Sequence, residues 1–264
     1  MSLLVKGRQE GREIVTVTPE SAGWNYVGFA AYRLVKDEEF SFSTGAREMC
    51  IVILRGIVSV EVGKTVWSEI GKRDSVFERV SPYSVYVPHR QGVCITAHGD
   101  VEIAVCSAPG NGDFSARLIE PASAVRSIRG QGSNTRYVCD ILPQSAPADH
   151  LLIVEVITPG GHSSSYPPHK HDTDNIPDES ALEETYYHRI NPSQGFAFQR
   201  VYTDDRSLDE SMAVENHDVV MVPKGYHPFV APHGYDCYYL NVMAGSKRSW
   251  HFKNDPAHDW LMRR

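Results

Sequence analysis

The stretch that decides the fold spans residues 166–171 and reads Tyr-Pro-Pro-His-Lys-His. Its two histidines, His169 and His171, are two positions apart. On an extended backbone such residues project to the same face, so both imidazoles can meet one ion while Lys170 points away. The two prolines favour an extended approach to them. The stretch therefore predicts half of a metal site on a short β-strand.

Two further ligands are predicted downstream. Glu184 begins the run Glu-Thr-Tyr-Tyr-His-Arg, whose β-branched and aromatic residues favour a strand. His227 follows a Pro-x-Gly turn that ends the apolar run 218–222. Glu183 differs from Glu184 only by strand register, and we favour Glu184 as the ligand. Three imidazoles and one carboxylate without a thiolate suit zinc, manganese, iron or nickel.

A single histidine on a strand is more often a hydrogen-bonded residue than a ligand, but the joint pattern favours the metal site. The loop between the ligands is itself acidic. Its carboxylates belong to Asp172, Asp174 and Asp178. We interpret them as a solvated turn rather than a hard-cation site, because the glycine pattern of an EF-hand is missing.

Strand patterns outnumber helix patterns along the whole chain. Short, β-branched, turn-bounded runs recur, among them 49–54, 57–62, 101–106, 151–157 and 237–242. We predict an all-β fold of two tandem antiparallel β-barrel or jelly-roll domains. The first domain is predicted at residues 1–130 and the second, metal-binding domain at residues 131–264.

The first half lacks the ligand pattern of the second. Glu48 precedes a predicted strand there, and the segment 86–92 is similar to the segment 221–225. However, no His-x-His pair lies upstream of Glu48. We therefore predict a degenerate N-terminal domain that packs against the second domain and covers sheet edges.

Charge and composition exclude several classes of protein. The 264 residues carry a net charge of -7, and their Lys and Arg residues are scattered, which argues against a nucleic-acid partner. No apolar run approaches the roughly 20 residues of a membrane-spanning helix, and residues 1–12 lack the apolar core of a signal peptide. We expect a cytoplasmic protein without a membrane partner. The five cysteines have no close pairs and are expected to be reduced thiols.

Several segments carry a family resemblance. They are 164–172, 182–187, 194–202 and 222–228, with Arg129-Gly-Gln-Gly and Asn134-Thr-Arg136 before them. Together they resemble the 5-deoxy-glucuronate isomerase family of myo-inositol catabolism. His169, His171 and Glu184 resemble the first motif of the cupin superfamily, and the run 218–227 with Asn241 resembles the second. The resemblance implies a bicupin that converts 5-deoxy-D-glucuronate to 5-dehydro-2-deoxy-D-gluconate, a metal-dependent aldose–ketose isomerisation.

Such a reaction requires a group that moves a proton and a group that holds the uronate carboxylate. As proton shuttles the sequence offers Glu183, Tyr186, His188 and Tyr202. As substrate-binding residues it offers Arg136, Gln199, Arg200 and Lys224. A tyrosine or histidine on a strand is packing material at least as often as catalytic. Arg200 equally fits a surface ion pair with Asp204 or Asp205.

Two other functions stay open from the sequence. An iron-dependent cupin dioxygenase would use the same four ligands. A sugar-acid-binding cupin without catalysis is the third reading, although no DNA-binding module accompanies it. The expected partner is a small-molecule sugar acid, whereas the substrates of the dioxygenase alternative are often flatter and more apolar. The aromatic tail 250–260 is expected to dock on the second domain and to favour a homo-oligomer.

Overall fold

The computed structural model describes residues 2–112 and 114–263. These residues contain one four-residue α-helix, α1 (Pro19–Ala22). Short 3-10 helices span Val76–Glu78, Pro121–Ser123, Gly132–Asn134 and Pro256–Arg263. All other regular structure in these residues is β-strand, so the prediction of a β-protein is confirmed.

The strands are given in chain order. Those before residue 120 are β1 (Leu4–Val5), β2 (Glu13–Val17), β3 (Gly28–Leu34), β4 (Glu39–Ser43), β5 (Arg47–Arg55), β6 (Val58–Val62), β7 (Thr65–Ile70), β8 (Ser84–Val87), β9 (Gly92–Ala97), β10 (Val101–Pro109) and β11 (Arg117–Ile119). Those after it are β12 (Val125–Arg129), β13 (Arg136–Leu142), β14 (Leu152–Thr158), β15 (Ser163–Ser164), β16 (His169–Lys170), β17 (Asp172–Asn175), β18 (Glu179–Ala181), β19 (Glu183–Asn191), β20 (Phe196–Tyr202), β21 (Asp209–Glu215), β22 (Val219–Val222), β23 (Phe229–Val230), β24 (Asp236–Ala244) and β25 (Lys253–Asn254).

The strands form two large sheets, each packed against a smaller one. The six-stranded sheet β11-β8-β5-β10-β3-β2 packs on the sheet β4-β9-β6-β7. The seven-stranded sheet β1-β22-β19-β24-β14-β13-β12 packs on the sheet β15-β23-β20-β21. Two strand pairs, β16-β25 and β17-β18, lie outside them. Because β1 and β12 belong to the seven-stranded sheet, both ends of the first 130 residues contribute to the second sheet pair.

Period-two alternation places the core residues in layers. Along β14, Leu152, Val154 and Val156 belong to the cluster shared with the small sheet, while Ile153 and Ile157 belong to a cluster shared with the six-stranded sheet. The seven-stranded sheet is therefore buried on both faces, which explains its near-continuous apolar strands. The two large sheets pack back to back.

Two ion pairs, one buried and one partly buried, cross the contact between the large sheets. Arg73 donates to both carboxylate oxygens of Glu155 at 3.0 and 2.9 Å. Arg189 of β19 donates to both oxygens of Glu102 in β10 at 2.6 Å. Removal of one partner from such a pair leaves a buried charge and costs about 3–5 kcal/mol. These pairs fix the position of one large sheet on the other.

Two features of the chain bear on the class of protein. Within residues 2–112 and 114–263, no helix is long and apolar enough to cross a membrane. All five cysteines carry free thiols. Burial raises the pKa of Cys50 and of Cys237 to about 12, so these thiols stay protonated and act as small core residues.

Candidate metal centre and substrate cavity

Three imidazoles meet between the seven-stranded sheet and its smaller partner. His169 lies in β16, His171 follows that strand directly, and His227 lies between β22 and β23. One ring nitrogen of each lies within 4.8 Å of those of the other two. The structure thus brings together the three histidines that the sequence predicts as ligands.

Glu184 completes the cluster from the start of β19. Its Oε2 lies 3.1 Å from Nε2 of His171 and 3.3 Å from Nε2 of His227. The side-chain amide of Asn241 donates to its Oε1 at 2.6 Å and so orients the carboxylate. Such an outer hydrogen bond is a regular feature of metal-binding carboxylates.

Backbone carbonyls orient the two buried imidazoles. Nδ1 of His171 lies 3.2 Å from the carbonyl of Leu182, and Nδ1 of His227 lies 2.9 Å from the carbonyl of Gly225. A carbonyl oxygen only accepts, so Nδ1 of each ring is the donor. Nε2 of each ring therefore faces the centre of the cluster and, in the neutral ring, would offer its lone pair to a metal ion.

Burial and protonation also suit a divalent metal ion. His171 and Glu184 are 2% exposed and His227 is fully buried, and Nε2 of His227 has no hydrogen-bond partner in the described chain. Burial lowers the pKa of His227 and of His169 to about 3, which leaves both rings neutral. For His171 burial is the largest single influence and lowers the pKa, but the hydrogen bond and the charge of Glu184 together with backbone hydrogen bonds outweigh it, so the pKa is raised. Three imidazoles and one carboxylate, buried in this way, fit a divalent metal ion.

Local backbone geometry positions His227. Gly225 precedes it with a φ of 90°, and a Cβ at this position would lie 2.5 Å from the carbonyl oxygen of Tyr202. Only glycine fits such a turn without strain. The N–H of Gly225 donates to Asp172 at 2.9 Å, which ties the His227 turn to the segment after His171.

A cavity of about 240 Å³ adjoins the cluster. Metal-cluster residues and polar groups in its lining are His169, Glu184, Asn241, Ser165, Tyr186, Tyr239, Asn134, Asn254, Arg129 and Arg136. Apolar groups are Val138, Val154, Val156, Pro167, Trp250, Phe252 and Met262. Among the lining residues Glu184 is the only carboxylate. A small hydroxylated anion fits this composition.

Arg136 gives the cavity a positive charge. Its guanidinium donates to the carbonyl of Asn134 at 3.0 Å, and no carboxylate within the described part of the chain pairs with it. Burial lowers the pKa of Arg136. Arg129 lies beside it and contacts Asp140 only at 3.4 to 3.5 Å. A half-buried guanidinium without an acidic partner is suited to a carboxylate ligand.

Comparison with known proteins identifies the family. The sequence profile of the KduI/IolB family matches residues 3–261. The chain belongs to the KduI/IolB family. It is 58% identical over 254 residues to a 5-deoxy-glucuronate isomerase of Geobacillus kaustophilus (strain HTA426), and the match covers 96% of this chain and 92% of that protein. The identity extends along nearly the whole length of both chains. This KduI/IolB protein is therefore an isomerase, as the sequence predicts.

Two solved structures have a similar fold, and one of them is an IolB-like protein. The crystal structure of an IolB-like protein from Salmonella typhimurium LT2 has a TM-score of 0.98 and 51% identity, and the match covers 99% of this chain and 100% of that chain. Oxalate decarboxylase from Lactobacillus farciminis has a TM-score of 0.67 at 11% identity, covering 100% of this chain and 91% of that one. The second likeness shows only that the KduI/IolB chain shares the cupin fold.

Tyr186 is the predicted shuttle that reaches the cavity of this KduI/IolB protein. It lies two residues from Glu184 on the same face of β19, and its hydroxyl lies 2.9 Å from Oγ of Ser165. Burial raises the pKa of Tyr186 well above its usual range, and the charge of Glu184 adds to this. The hydroxyl therefore stays protonated and can donate a hydrogen bond.

The structure places Glu183 away from the cavity. Its carboxylate lies on the opposite face of β19 and accepts the backbone N–H groups of Asn25, Tyr26 and Val27 at 2.7 to 3.0 Å. The prediction of Glu183 as a proton shuttle is therefore not supported by its position. Strand alternation separates Glu183 from Glu184.

His188 and Gln199 form a buried pair beneath the cavity. Nε2 of His188 lies 3.1 Å from Oε1 of Gln199, and the imidazole stacks on the ring of Phe229 at 5.3 Å. Neither residue lines the cavity. Burial lowers the pKa of His188 to about 3, against the hydrogen bond that its Nε2 donates to Gln199. His188 was predicted as a proton shuttle and Gln199 as a substrate-binding residue. The structure instead places both side chains in the packing beneath Tyr186 and Tyr239.

Three other predicted residues also lie outside the cavity. Arg200 faces the outer side of β20 and donates to both oxygens of Asp209 at 2.7 Å, rather than to Asp204 or Asp205. Lys224 is exposed in the turn before Gly225. The hydroxyl of Tyr202 donates to the buried carboxylate of Asp255 at 2.8 Å. The positions of Arg200 and Lys224 therefore do not agree with the prediction that they bind substrate. The position of Tyr202 does not agree with the prediction that it is a proton shuttle.

The acidic loop takes part in backbone hydrogen bonds. Asp172 pairs with Lys170 at 3.1 Å as well as accepting from Gly225. Asp174 accepts the N–H of Ala181 across the β17–β18 pair at 3.0 Å. Asp178 is exposed. These partners agree with a structural turn.

Several residues that line the cavity were not predicted from the sequence as site residues. Arg129 and Ser165 lie within the family-like segments but carry no spacing that marks a ligand. Phe252 and Trp250 belong to the aromatic tail, and the ring of Phe252 lies 4.7 Å from that of His169. Pairing of β25 with β16 brings them there. The tail docks as expected and also covers the metal centre.

Proposed function

We propose that this protein is a metal-dependent aldose–ketose isomerase that converts 5-deoxy-D-glucuronate to 5-dehydro-2-deoxy-D-gluconate in inositol catabolism. One observation carries the proposal. The buried cluster of His169, His171, His227 and Glu184 opens on a cavity that also holds the guanidinium of Arg136, which pairs with no carboxylate among the described residues. Ligands for an ion and a site for a carboxylate therefore meet in a single small volume.

The reaction needs no external oxidant or reductant. A hydrogen moves from C2 to C1, as a proton or as a hydride, while the hydroxyl proton of O2 is lost and O1 gains a proton. The C1 aldehyde becomes a hydroxymethyl group and C2 becomes a carbonyl. Negative charge develops on O1 or O2 during the transfer, so groups near both oxygens must stabilise it.

The chain supplies most of this environment. His169, His171, Glu184 and His227 would hold zinc, manganese, iron or nickel, which when bound stabilises negative charge on substrate oxygens as a Lewis acid. Asn241 holds Glu184 in position. The protonated hydroxyl of Tyr186, next to Ser165, is placed to hydrogen-bond a substrate oxygen.

The uronate carboxylate is assigned to the guanidinium end of the cavity. Arg136 offers a planar fork that matches a carboxylate. Nε1 of Trp250 is buried without a partner among the described residues, and the guanidinium of Arg129 lies 5.9 Å from the Trp250 ring. These three side chains offer donors to one anionic group.

Product analysis tests the proposal. Purified protein with its native metal is incubated with 5-deoxy-D-glucuronate without oxygen, and the mixture is followed by proton NMR. Stoichiometric appearance of a hydroxymethyl ketone supports the isomerase. Turnover only with oxygen consumption would instead indicate the dioxygenase, and saturable binding without turnover would indicate a sugar-acid-binding protein.

The bicupin organisation belongs to the same proposal, with a degenerate domain at residues 1–130 whose strands β1 and β12 join the second sheet pair, a metal-binding domain at residues 131–264 and a cytoplasmic location. Strand register supports the duplication. Glu184 lies opposite Val222, and Met49 lies opposite Val87 at the matching place in the first sheet pair. A thioether in place of the carboxylate would leave the first half without a metal site.

A further inference from the structure

The inner face of the seven-stranded sheet changes its chemistry from strand to strand. The strands β19, β24, β14, β13 and β12 lie side by side in this order. Tyr186 of β19 lies opposite Asn241 of β24, which in turn lies opposite Val154 of β14. In the next row the order from β24 onward is Tyr239, Val156 and Val138.

The cationic groups follow at the far end of these rows. Arg136 lies two positions before Val138 on the same face of β13, and Arg129 of β12 lies opposite Arg136. All of these side chains line the cavity. The sheet surface therefore passes from hydroxyl and amide groups, across three valines, to two guanidiniums.

A 5-deoxyuronate has the same order along its chain. Carbons C1 to C4 carry oxygens, C5 is a methylene, and C6 is the carboxylate. With the oxygens towards the metal centre and the carboxylate at Arg136, the methylene lies over the valines. The geometry points to Val138, Val154 and Val156 as the residues that select a substrate with a methylene group next to its carboxylate. This inference rests on the proposed function.

The selection follows from desolvation. The three valines are buried, and their side chains offer no hydrogen bond to a ligand. A hydroxyl on C5 would lose its water here without a new partner, which is unfavourable. An apolar pocket rejects an added hydroxyl by about 10²-fold. The expected discrimination against the 5-hydroxy analogue is of this size.

Inhibition measures this selection without interference from ring closure. D-Glucuronate and 5-deoxy-D-glucuronate are each reduced with borohydride to open-chain polyhydroxy acids. The two acids then differ only in the hydroxyl next to the carboxylate. Each is tested as a competitive inhibitor of 5-deoxy-D-glucuronate turnover by the metal-loaded enzyme. The hydroxylated acid is expected to have an inhibition constant about 10²-fold higher.

Isosteric variants identify the residues responsible. Val138→Thr, Val154→Thr and Val156→Thr each add a hydroxyl at nearly constant volume. At least one of them is expected to reduce the ratio of the two inhibition constants to about 10 or less. Val214→Thr is the matched control, because Val214 is a buried valine of the same core cluster on β21 and does not line the cavity. Its ratio should equal that of the unsubstituted enzyme.

The outcomes separate this inference from the proposed function. Absence of any isomerisation by the unsubstituted enzyme contradicts the proposed function itself. Normal isomerisation with a ratio near one, or with no inhibition by either acid, overturns the selection by valines. So does a ratio that all three threonine variants leave unchanged. The ratio of inhibition constants for the unsubstituted enzyme tests the inference even if a threonine variant does not fold.

Discussion

Glu48 and Glu183 occupy matching positions in the two large sheets. Glu48 of β5 lies opposite Ala108 of β10, and Glu183 of β19 lies opposite Ala244 of β24. Glu48 accepts three consecutive backbone N–H groups at 149–151, all at 2.7 Å. Glu183 does the same at 25–27. Each carboxylate thus binds the segment that leads into the other sheet pair.

This reciprocal arrangement predicts a loss of stability without a loss of metal. Glu48 is fully buried and also accepts from the hydroxyl of Tyr86, so Glu48→Gln should lower the free energy of unfolding by about 3 kcal/mol. Glu183→Gln should cost less, because that side chain is partly exposed. Urea unfolding measures both, with the exposed Glu61→Gln as control. A decrease in bound metal for Glu48→Gln would contradict the assignment of Glu48 to structure.

Arg136 should control the binding of the substrate carboxylate. Arg136→Lys keeps the charge but loses the planar fork, and loss of a charged hydrogen bond costs about 1.5–3 kcal/mol. Steady-state kinetics should show KM raised by roughly 10- to 100-fold with a smaller change in kcat. Arg200→Lys, on the outer face of β20, is the control and should change neither. An unchanged KM for Arg136→Lys would remove this residue from the carboxylate site.

Tyr202 is expected to act through the C-terminal tail. Its hydroxyl donates to Asp255, whose N–H donates to the carbonyl of Pro168 at 2.8 Å. Tyr202→Phe leaves the Asp255 carboxylate short of a donor and loosens the cover formed by Phe252. We expect KM to rise by about tenfold, equivalent to about 1.4 kcal/mol, with metal content and the pH profile of kcat unchanged. A shifted pH profile would restore Tyr202 as a proton shuttle.

His217 should make stability fall in mild acid. Burial lowers its pKa to about 4 against the opposing charge of Glu102, with Arg189 and Arg33 nearby and Nδ1 at 2.7 Å from the hydroxyl of Tyr187. An unfolded histidine titrates near 6.5. The unfolded state therefore binds the extra proton between these values, so stability is full above pH 6.5 and decreases by about 3 kcal/mol towards pH 4.

The variant His217→Asn tests this dependence. Asparagine tolerates the φ of 76° at this position and does not titrate. Thermal unfolding from pH 7.5 to pH 4.5 should show a shallower decrease of Tm for the variant than for the unsubstituted protein. Parallel curves would show that another group titrates.

The metal ligands could be predicted because local geometry places them. His169 and His171 share a face of an extended segment, and Glu184 lies on the neighbouring strand. The alternation of side chains along a strand also explains why the prediction for Arg200 was wrong. Arg200 follows Gln199 by one residue on β20 and must face the opposite side. Residue type alone therefore does not show which of these two side chains faces the cavity side of the sheet.

The walls of the cavity depend on pairing between distant segments. Val138 and Val156 meet through the register of β13 with β14, and Phe252 reaches His169 because β25 pairs with β16. No local spacing encodes these contacts. The counterpart of Glu184 in the first sheet pair likewise depends on strand pairing. The register of β5 with β8 places Met49, rather than Glu48, at the position that corresponds to Glu184.

The central claim is that the buried histidine and glutamate cluster holds the metal ion on which isomerisation depends. The most direct measurement is metal per chain together with turnover of 5-deoxy-D-glucuronate, before and after chelation and metal return, for the unsubstituted enzyme, Glu184→Gln and Glu183→Gln. We predict nearly one ion per chain, reversible loss of turnover on chelation, and loss of both metal and turnover for Glu184→Gln alone. Full turnover after complete removal of metal, or a Glu184→Gln enzyme with normal metal content and activity, would contradict the claim.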